Sequence, residues 1–178
     1  VICVDISEPI LRANQNQNPQ AEFILGDATM IKINKKFDLV FAKDVIEHIQ
    51  EDEVFLENMN YHLKSSGKIL INTQNSHSLN YSVQNIFHKL KGDKNWLGWD
   101  PTHVRFYNYP ILKDKLAKAG FDPQKWFGSY YFPYRLLADH CGKLWESKIF
   151  CGVELSNLFD KPLFNISGWN IGVIAKKQ

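Results

Sequence analysis

Residues 37–48 read Phe37-Asp38-Leu39-Val40-Phe41-Ala42-Lys43-Asp44-Val45-Ile46-Glu47-His48. The first half is an apolar run of buried-strand length. The second half is a dense polar cluster carrying two carboxylates and an imidazole. Two earlier segments have the same form. Val1-Ile2-Cys3-Val4-Asp5 and Phe23-Ile24-Leu25-Gly26-Asp27 each run apolar and end in an acid. In open α/β sheets, ligands bind where strands release their carboxyl ends, so these three endings belong at one binding edge.

The stretches between them supply the helices. Ser7, Glu8 and Pro9 mark a helix start, and the polar run Asn14 to Pro19 marks its end. Glu51, Asp52 and Glu53 open a second helix, where negative charge suits the positive end of the helix dipole. Phe55, Met59 and Leu63 form its apolar face, Ser65-Ser66-Gly67 stops it, and Lys68 to Thr73 reads as a fourth strand. The β-α-β-β-α-β order with continuous apolar strands predicts a parallel sheet covered on both faces. Further on, Ser78 to Lys91 reads as a helix. Asn108, Pro110, Leu112, Leu116 and Gly120 outline another. Trp126 to Phe132 is expected as a strand, Pro133 to Trp145 as a helix, and Asn170 to Ala175 as the closing strand.

Composition narrows the classes. One domain over residues 1–178 is expected, with 126–169 as a small aromatic cap inserted in it. The net charge is +2, and no long Lys/Arg run stands out, so nucleic acid is not an expected partner. Lys89, Lys91 and Lys94 read as a solvated helix end. Cys3, Cys141 and Cys151 form no CxxC pair, which points to a reducing, cytoplasmic setting. No apolar run reaches membrane-spanning length. The aromatic-rich segment from Trp126 to Trp169 suits either core packing or a hydrophobic acceptor pocket.

In order and spacing, these segments resemble the class I S-adenosylmethionine-dependent methyltransferases of the ubiquinone-biosynthesis and methyltransferase 11/12 type. The match begins at that family's second strand. The resemblance implies a Rossmann-like, mostly parallel sheet with an antiparallel last strand. It implies that Asp5 and Ile6 hold the cofactor ribose, Asp27 and Ala28 the adenine, and that Lys43 lies beside the cofactor. The Glu47-His48 pair would face the reaction cavity. Asp100-Pro101-Thr102-His103-Val104-Arg105-Phe106 resembles the His-x-Arg-Phe segment of the same superfamily, which would bring His103 over the same edge. An imidazole titrating near neutrality suits removal of a proton from an acceptor hydroxyl. His48 and His103 are therefore the candidate bases, and Glu47 would orient one of them.

The implied reaction is methyl transfer, with oxygen favoured, to a small or lipid-like acceptor. The Asp-Val-Ile-Glu-His string and the later histidine also resemble the small-RNA 2′-O-methyltransferases, in which such residues bind a divalent metal. By that likeness Asp44, Glu47, His48 and His103 would hold Mg²⁺, Mn²⁺ or Zn²⁺. Two other readings stay open: a nicotinamide-dependent dehydrogenase, which shares the strand-end acid, and a degenerate methyltransferase-like binding module. The family's first strand and glycine-rich loop have no counterpart, because no Gly-x-Gly string occurs and only four residues precede Asp5. The chain is thus expected to be a piece of a longer protein, folding poorly alone. A gap of roughly 10 Å is expected between the strands at Val1 and Phe37, twice the usual strand spacing.

Overall fold

The computed structural model describes residues 1–94, 96, 98, 100–129, 166 and 168–178. Strand β1 (Ile2–Asp5) leads through α1 (Glu8–Gln17) to β2 (Glu22–Leu25). β3 (Phe37–Lys43) follows, then a 3₁₀ turn (Ile46–His48), α2 (Asp52–His62) and β4 (Leu63–Gln74). α3 (Leu79–Leu90), α4 (Tyr109–Lys118), β5 (Phe121–Ser129) and β6 (Asn170–Lys177) complete the order.

The strands form two sheets. β1 and β2 pair in parallel, with Asp5 opposite Leu25. The second sheet has the order β3-β4-β6-β5. There β3 and β4 are parallel, while β6 runs antiparallel to both β4 and β5. Parallel pairs early and an antiparallel last strand follow the sequence pattern. The break also falls where the expected gap does, since among the described residues β1 pairs only with β2 and β3 only with β4.

The core lies within the second sheet and under its helices. Ile69 and Ile71 of β4, Ile171, Val173 and Ala175 of β6, and Phe55, Leu56, Leu112 and Leu116 of the helices are essentially inaccessible. The expectation of burial on both faces holds for β4 and fails for β3. Leu39 and Phe41 are 55% and 62% exposed, while Ala42 turns inward. α1 packs on β1 and β2, so among the described residues nothing covers that outer face of β3.

Local chemistry explains the helix boundaries. Asn108 caps α4 by accepting from the Ile111 amide at 3.1 Å, and Gly120 leaves it at φ +76°, a conformation that suits glycine. β5 starts directly after that turn, five residues before the expected start at Trp126. Pro123 within it coincides with a shift in register, as proline cannot donate to the ladder. Trp126 to Ser129 lie in β5. The rest of the expected cap up to residue 165, with the helix Pro133 to Trp145, lies outside the described residues.

Candidate active site at the strand ends

Two groups of expected residues are brought together. The first is at the carboxyl edge of β1 and β2. Gly26 donates its amide to the Asp5 carbonyl at 3.0 Å, which places Asp27 on the same edge as Asp5. Asp5 Oδ1 accepts from the Ser7 amide at 2.8 Å, so this carboxylate, rather than the Ser7 side chain, secures the entry to α1. Asp27 Oδ1 accepts from the Thr29 hydroxyl at 2.7 Å and the Thr29 amide at 2.8 Å. Those two bonds hold the Asp27 carboxyl below its ordinary range. In both acids only Oδ1 is engaged among the described residues, which leaves Oδ2 for a ligand. Ile6 beside them is 76% exposed.

The loop after β2 is fixed by residues with no local sequence signature. Asn58 of α2 donates to the carbonyls of Ala28 and Ile31, both at 2.9 Å, and accepts from Lys32 Nζ at 2.6 Å. His62 Nδ1 donates to the Asn58 carbonyl at 2.8 Å, and its Nε2 accepts from the Ile33 amide at 3.0 Å. Both side chains are nearly buried, so α2 acts as a rigid support for the Asp27–Ala28 segment.

The second group lies past the end of β3. The chain turns at Asp44, whose φ of 50° is unusual for a residue with a side chain, and enters the 3₁₀ turn. Asp44 faces Lys43 at 3.9 Å and Asn170 at 3.5 Å. Glu47 is 1% exposed, and neither of its oxygens has a hydrogen-bond partner among the described residues. Burial, aided by the nearby charge of Asp44, pushes its carboxyl above the ordinary range.

His103 arrives from a segment 55 positions later. The Val104 amide donates to the Glu47 carbonyl at 3.0 Å, and the rings of His48 and His103 meet with centroids 4.7 Å apart. Arg105 secures this loop, pairing with Asp52 Oδ2 at 2.8 Å and donating to the Gln50 carbonyl. The donor atoms of Glu47, His48 and His103 all lie within 4.8 Å of one another. Asp44, expected beside them as a metal ligand, is not part of this cluster.

Hydrogen bonding distinguishes the two imidazoles. The Thr102 hydroxyl donates to Asp100 Oδ1 at 2.6 Å, so toward His48 Nδ1, 3.0 Å away, it can only accept. In the neutral ring His48 therefore carries its proton on Nδ1, and Nε2 is the nitrogen that can accept. Its ring is exposed, whereas the His103 side chain is 3% exposed. Burial, and then the neighbouring His48, hold His103 below the ordinary histidine range, against the opposing pull of Asp100 and Asp44. His103 is thus uncharged at neutral pH.

Residues 1–71 match the methyltransferase domain family. Solved structures extend the likeness along the chain. A magnesium protoporphyrin IX methyltransferase from Synechocystis, with bound SAH, is 13% identical; the match covers 100% of this chain and 64% of that one, at a TM-score of 0.64. An S-adenosylmethionine-dependent methyltransferase from Clostridium acetobutylicum is 14% identical, over 99% and 74% of the two chains, at 0.63. Another from Methanosarcina mazei is 13% identical, over 99% and 81%, at 0.62. No curated protein matches the sequence. At these identities the solved structures establish the fold, and the family match covers the segment that ends in β4.

Proposed function

We propose that the chain is a class I S-adenosylmethionine-dependent methyltransferase domain, a reading supported by its fold and by the family match over residues 1–71, and that it methylates an acceptor hydroxyl on a small or lipid-like molecule. The observation that carries this reading is the convergence of His48 and His103 at 4.7 Å over the buried Glu47.

S-adenosylmethionine, when bound, supplies an electrophilic methyl group. The free oxygens of Asp5 and Asp27 suit its ribose hydroxyls and adenine amino group, and Ile6 and the Ala28 backbone border the same place. By the family resemblance Lys43, at the end of β3, would lie beside the cofactor. With that donor held there, His48 Nε2 would take the proton of the acceptor hydroxyl, while the methyl group would pass from the sulfonium sulfur to the hydroxyl oxygen and S-adenosylhomocysteine would leave. Thr102 fixes the His48 tautomer. His103 meets the ring edge-on, and the Glu47 carboxylate lies within 4.8 Å of both imidazoles without a hydrogen bond to either, so the expected orienting role of Glu47 would act through its charge. Positioning of this kind supplies much of the rate in a direct displacement.

A second reading shares the same residues. Two orphaned carboxylate oxygens of Glu47, the unpartnered Nδ1 of His103 and the free Nε2 of His48 make a mixed oxygen and nitrogen donor set that fits one divalent cation. Asp44 would stand outside it. Calorimetric titration with Mn²⁺ or Zn²⁺, with the Glu47→Gln variant as control, distinguishes the two. Binding that is lost in the variant favours the cation, and no binding favours the metal-free base.

The reading as a whole is tested by titrating the full-length protein with S-adenosylhomocysteine and with NAD, followed by methyl transfer to hydroxylated acceptors. Binding of S-adenosylhomocysteine alone, with turnover, supports it. Binding without turnover on any acceptor supports a binding module, and binding of NAD alone supports the dehydrogenase.

A further inference from the structure

Helix α3 is built inside out. Its buried residues are polar: Asn80 is inaccessible and Gln84 is 8% exposed. Most of its exposed residues are apolar. Leu79, Val83, Ile86, Phe87 and Leu90 are 60%, 36%, 60%, 44% and 82% exposed. At about 100° per residue these five fall within a single arc of roughly 100°, a continuous stripe along one side. A helix packed for a water-facing position would carry the opposite pattern.

The charge around the stripe is mostly positive. No acidic residue occurs from Asn75 through Gly92, while Lys89, Lys91 and Lys94 are exposed at the C-terminal end. Lys91 Nζ lies 4.3 Å from the centre of the Phe87 ring, at the border of stripe and cation. Asp93, the nearest acid, faces His88 at 3.5 Å. An apolar stripe edged by lysines is the pattern of a helix lying in a membrane interface, with its apolar side among acyl chains and its ammonium groups at phosphates.

The opposite side of α3 leads to the site. Tyr81 meets Phe106 at 5.3 Å, Phe106 meets His103 at 5.9 Å, and His103 meets His48 at 4.7 Å. The amide of Asn80 has no hydrogen-bond partner among the described residues.

We propose that α3 is an interfacial helix that seats this protein on an anionic lipid surface, with the Leu79–Leu90 stripe inserted and Lys89, Lys91 and Lys94 on the lipid phosphates. A helix held there, with its inner side joined by rings to His103, places the site beside the bilayer. That last link rests on the lipid-like acceptor proposed above; the docking itself does not.

The test is co-sedimentation of the full-length protein with vesicles, without cofactor or acceptor, so that failure of the methyl-transfer reading leaves it unaffected. Binding is expected to equimolar phosphatidylcholine–phosphatidylglycerol vesicles, to weaken with salt, and to be slight on phosphatidylcholine alone. Lys89→Ala with Lys91→Ala should lower the partition coefficient about 30-fold, from the usual worth of two lysines at an anionic surface. Ile86→Glu with Leu90→Glu should abolish binding. Lys118→Ala, on α4, should leave it unchanged. Both lysines are exposed, so this pair decides the matter even if the double glutamate variant unfolds. Equal or absent binding to both vesicle types overturns the proposal. So does a stripe variant that binds normally, or one whose only effect is to change the mass in solution, which would assign the stripe to a second copy of the chain.

Discussion

The Tyr107 hydroxyl donates a 2.6 Å hydrogen bond to Asp52 Oδ2 across 55 residues, and both side chains are buried. Arg105 and Lys115 close on the same carboxylate at 2.8 and 2.9 Å. This cluster joins the start of α2 to the loop that carries His103. Removing one partner of such a buried group leaves the others uncompensated.

Asp52→Asn should therefore destabilise the fold by about 3 kcal/mol, near the lower end for a broken buried ion pair. Tyr107→Phe should cost about 1–3 kcal/mol, the usual range for a lost buried hydrogen bond. Urea unfolding followed by tryptophan fluorescence checks both. Values below 0.5 kcal/mol, on the order of an ordinary surface change, would refute the role.

Acid titration should expose the same cluster. Burial acts to raise the Asp52 carboxyl, but the Tyr107 hydroxyl, Lys115 and Arg105 outweigh it, so the group titrates below its ordinary value of 3.8. A depressed carboxyl contributes stability above its unfolded-state pKa and loses it as pH falls through the folded value. The stability difference between the native chain and Asp52→Asn should be constant above about pH 5 and shrink below about pH 4. A difference that grows on acidification would contradict the assignment.

Asp5 serves α1 and, by the proposal, the cofactor, and one substitution separates the two uses. Asp5→Asn keeps the side-chain oxygen that accepts from Ser7 and removes the charge. Affinity for S-adenosylhomocysteine should fall by about 1.5 kcal/mol or more, the worth of bonds to a charged acceptor, with little change in melting temperature. Calorimetry and a thermal scan measure these together. Unchanged affinity would leave Asp5 with its capping bond alone.

His48→Ala should lower turnover by about 10²- to 10⁴-fold, the usual range for loss of a general base, and leave cofactor affinity nearly intact. Thr102→Val removes the acceptor that fixes the His48 tautomer and should act in the same direction, more weakly. Single-turnover kinetics with the cofactor saturating would show it. Full activity of His48→Ala would transfer the base role elsewhere.

What could be read from the sequence was local. The acid endings at Asp5 and Asp27 and the Glu47–His48 pair follow short apolar runs, and the capped start of α4 is written in Asn108 and Pro110. The convergence of His48 with His103 came from family likeness, since nothing within either segment specifies the other. Asn58, His62 and Tyr107 were not anticipated. Each makes at least one bond to a residue 25 or more positions away, and a polar side chain carries no mark in the sequence of whether it will be buried. Asp52 illustrates the same limit: in sequence it is a first-turn acid matched to the helix dipole, whereas in the fold two cations and a phenol enclose it. The segment of α3 was legible as a helix, but periodicity alone cannot tell an inward face from an outward one, so the exposure of its apolar stripe was not.

The central position of β6 affects how the protein is made. The last strand in sequence lies between β4 and β5, with Ile171, Val173 and Ala175 fully enclosed, and Lys177 reaches the carbonyls of Asn60 and Leu63. Until residues 170–177 leave the ribosome, β4 has one open edge and β5 has no strand to join. Synthesis therefore holds the second sheet unfinished almost to the end of this segment, and long-range closure of this kind is slow. A chain that lacked residues 170–177 would keep sticky edges on β4 and β5, a ready target for chaperones and proteases.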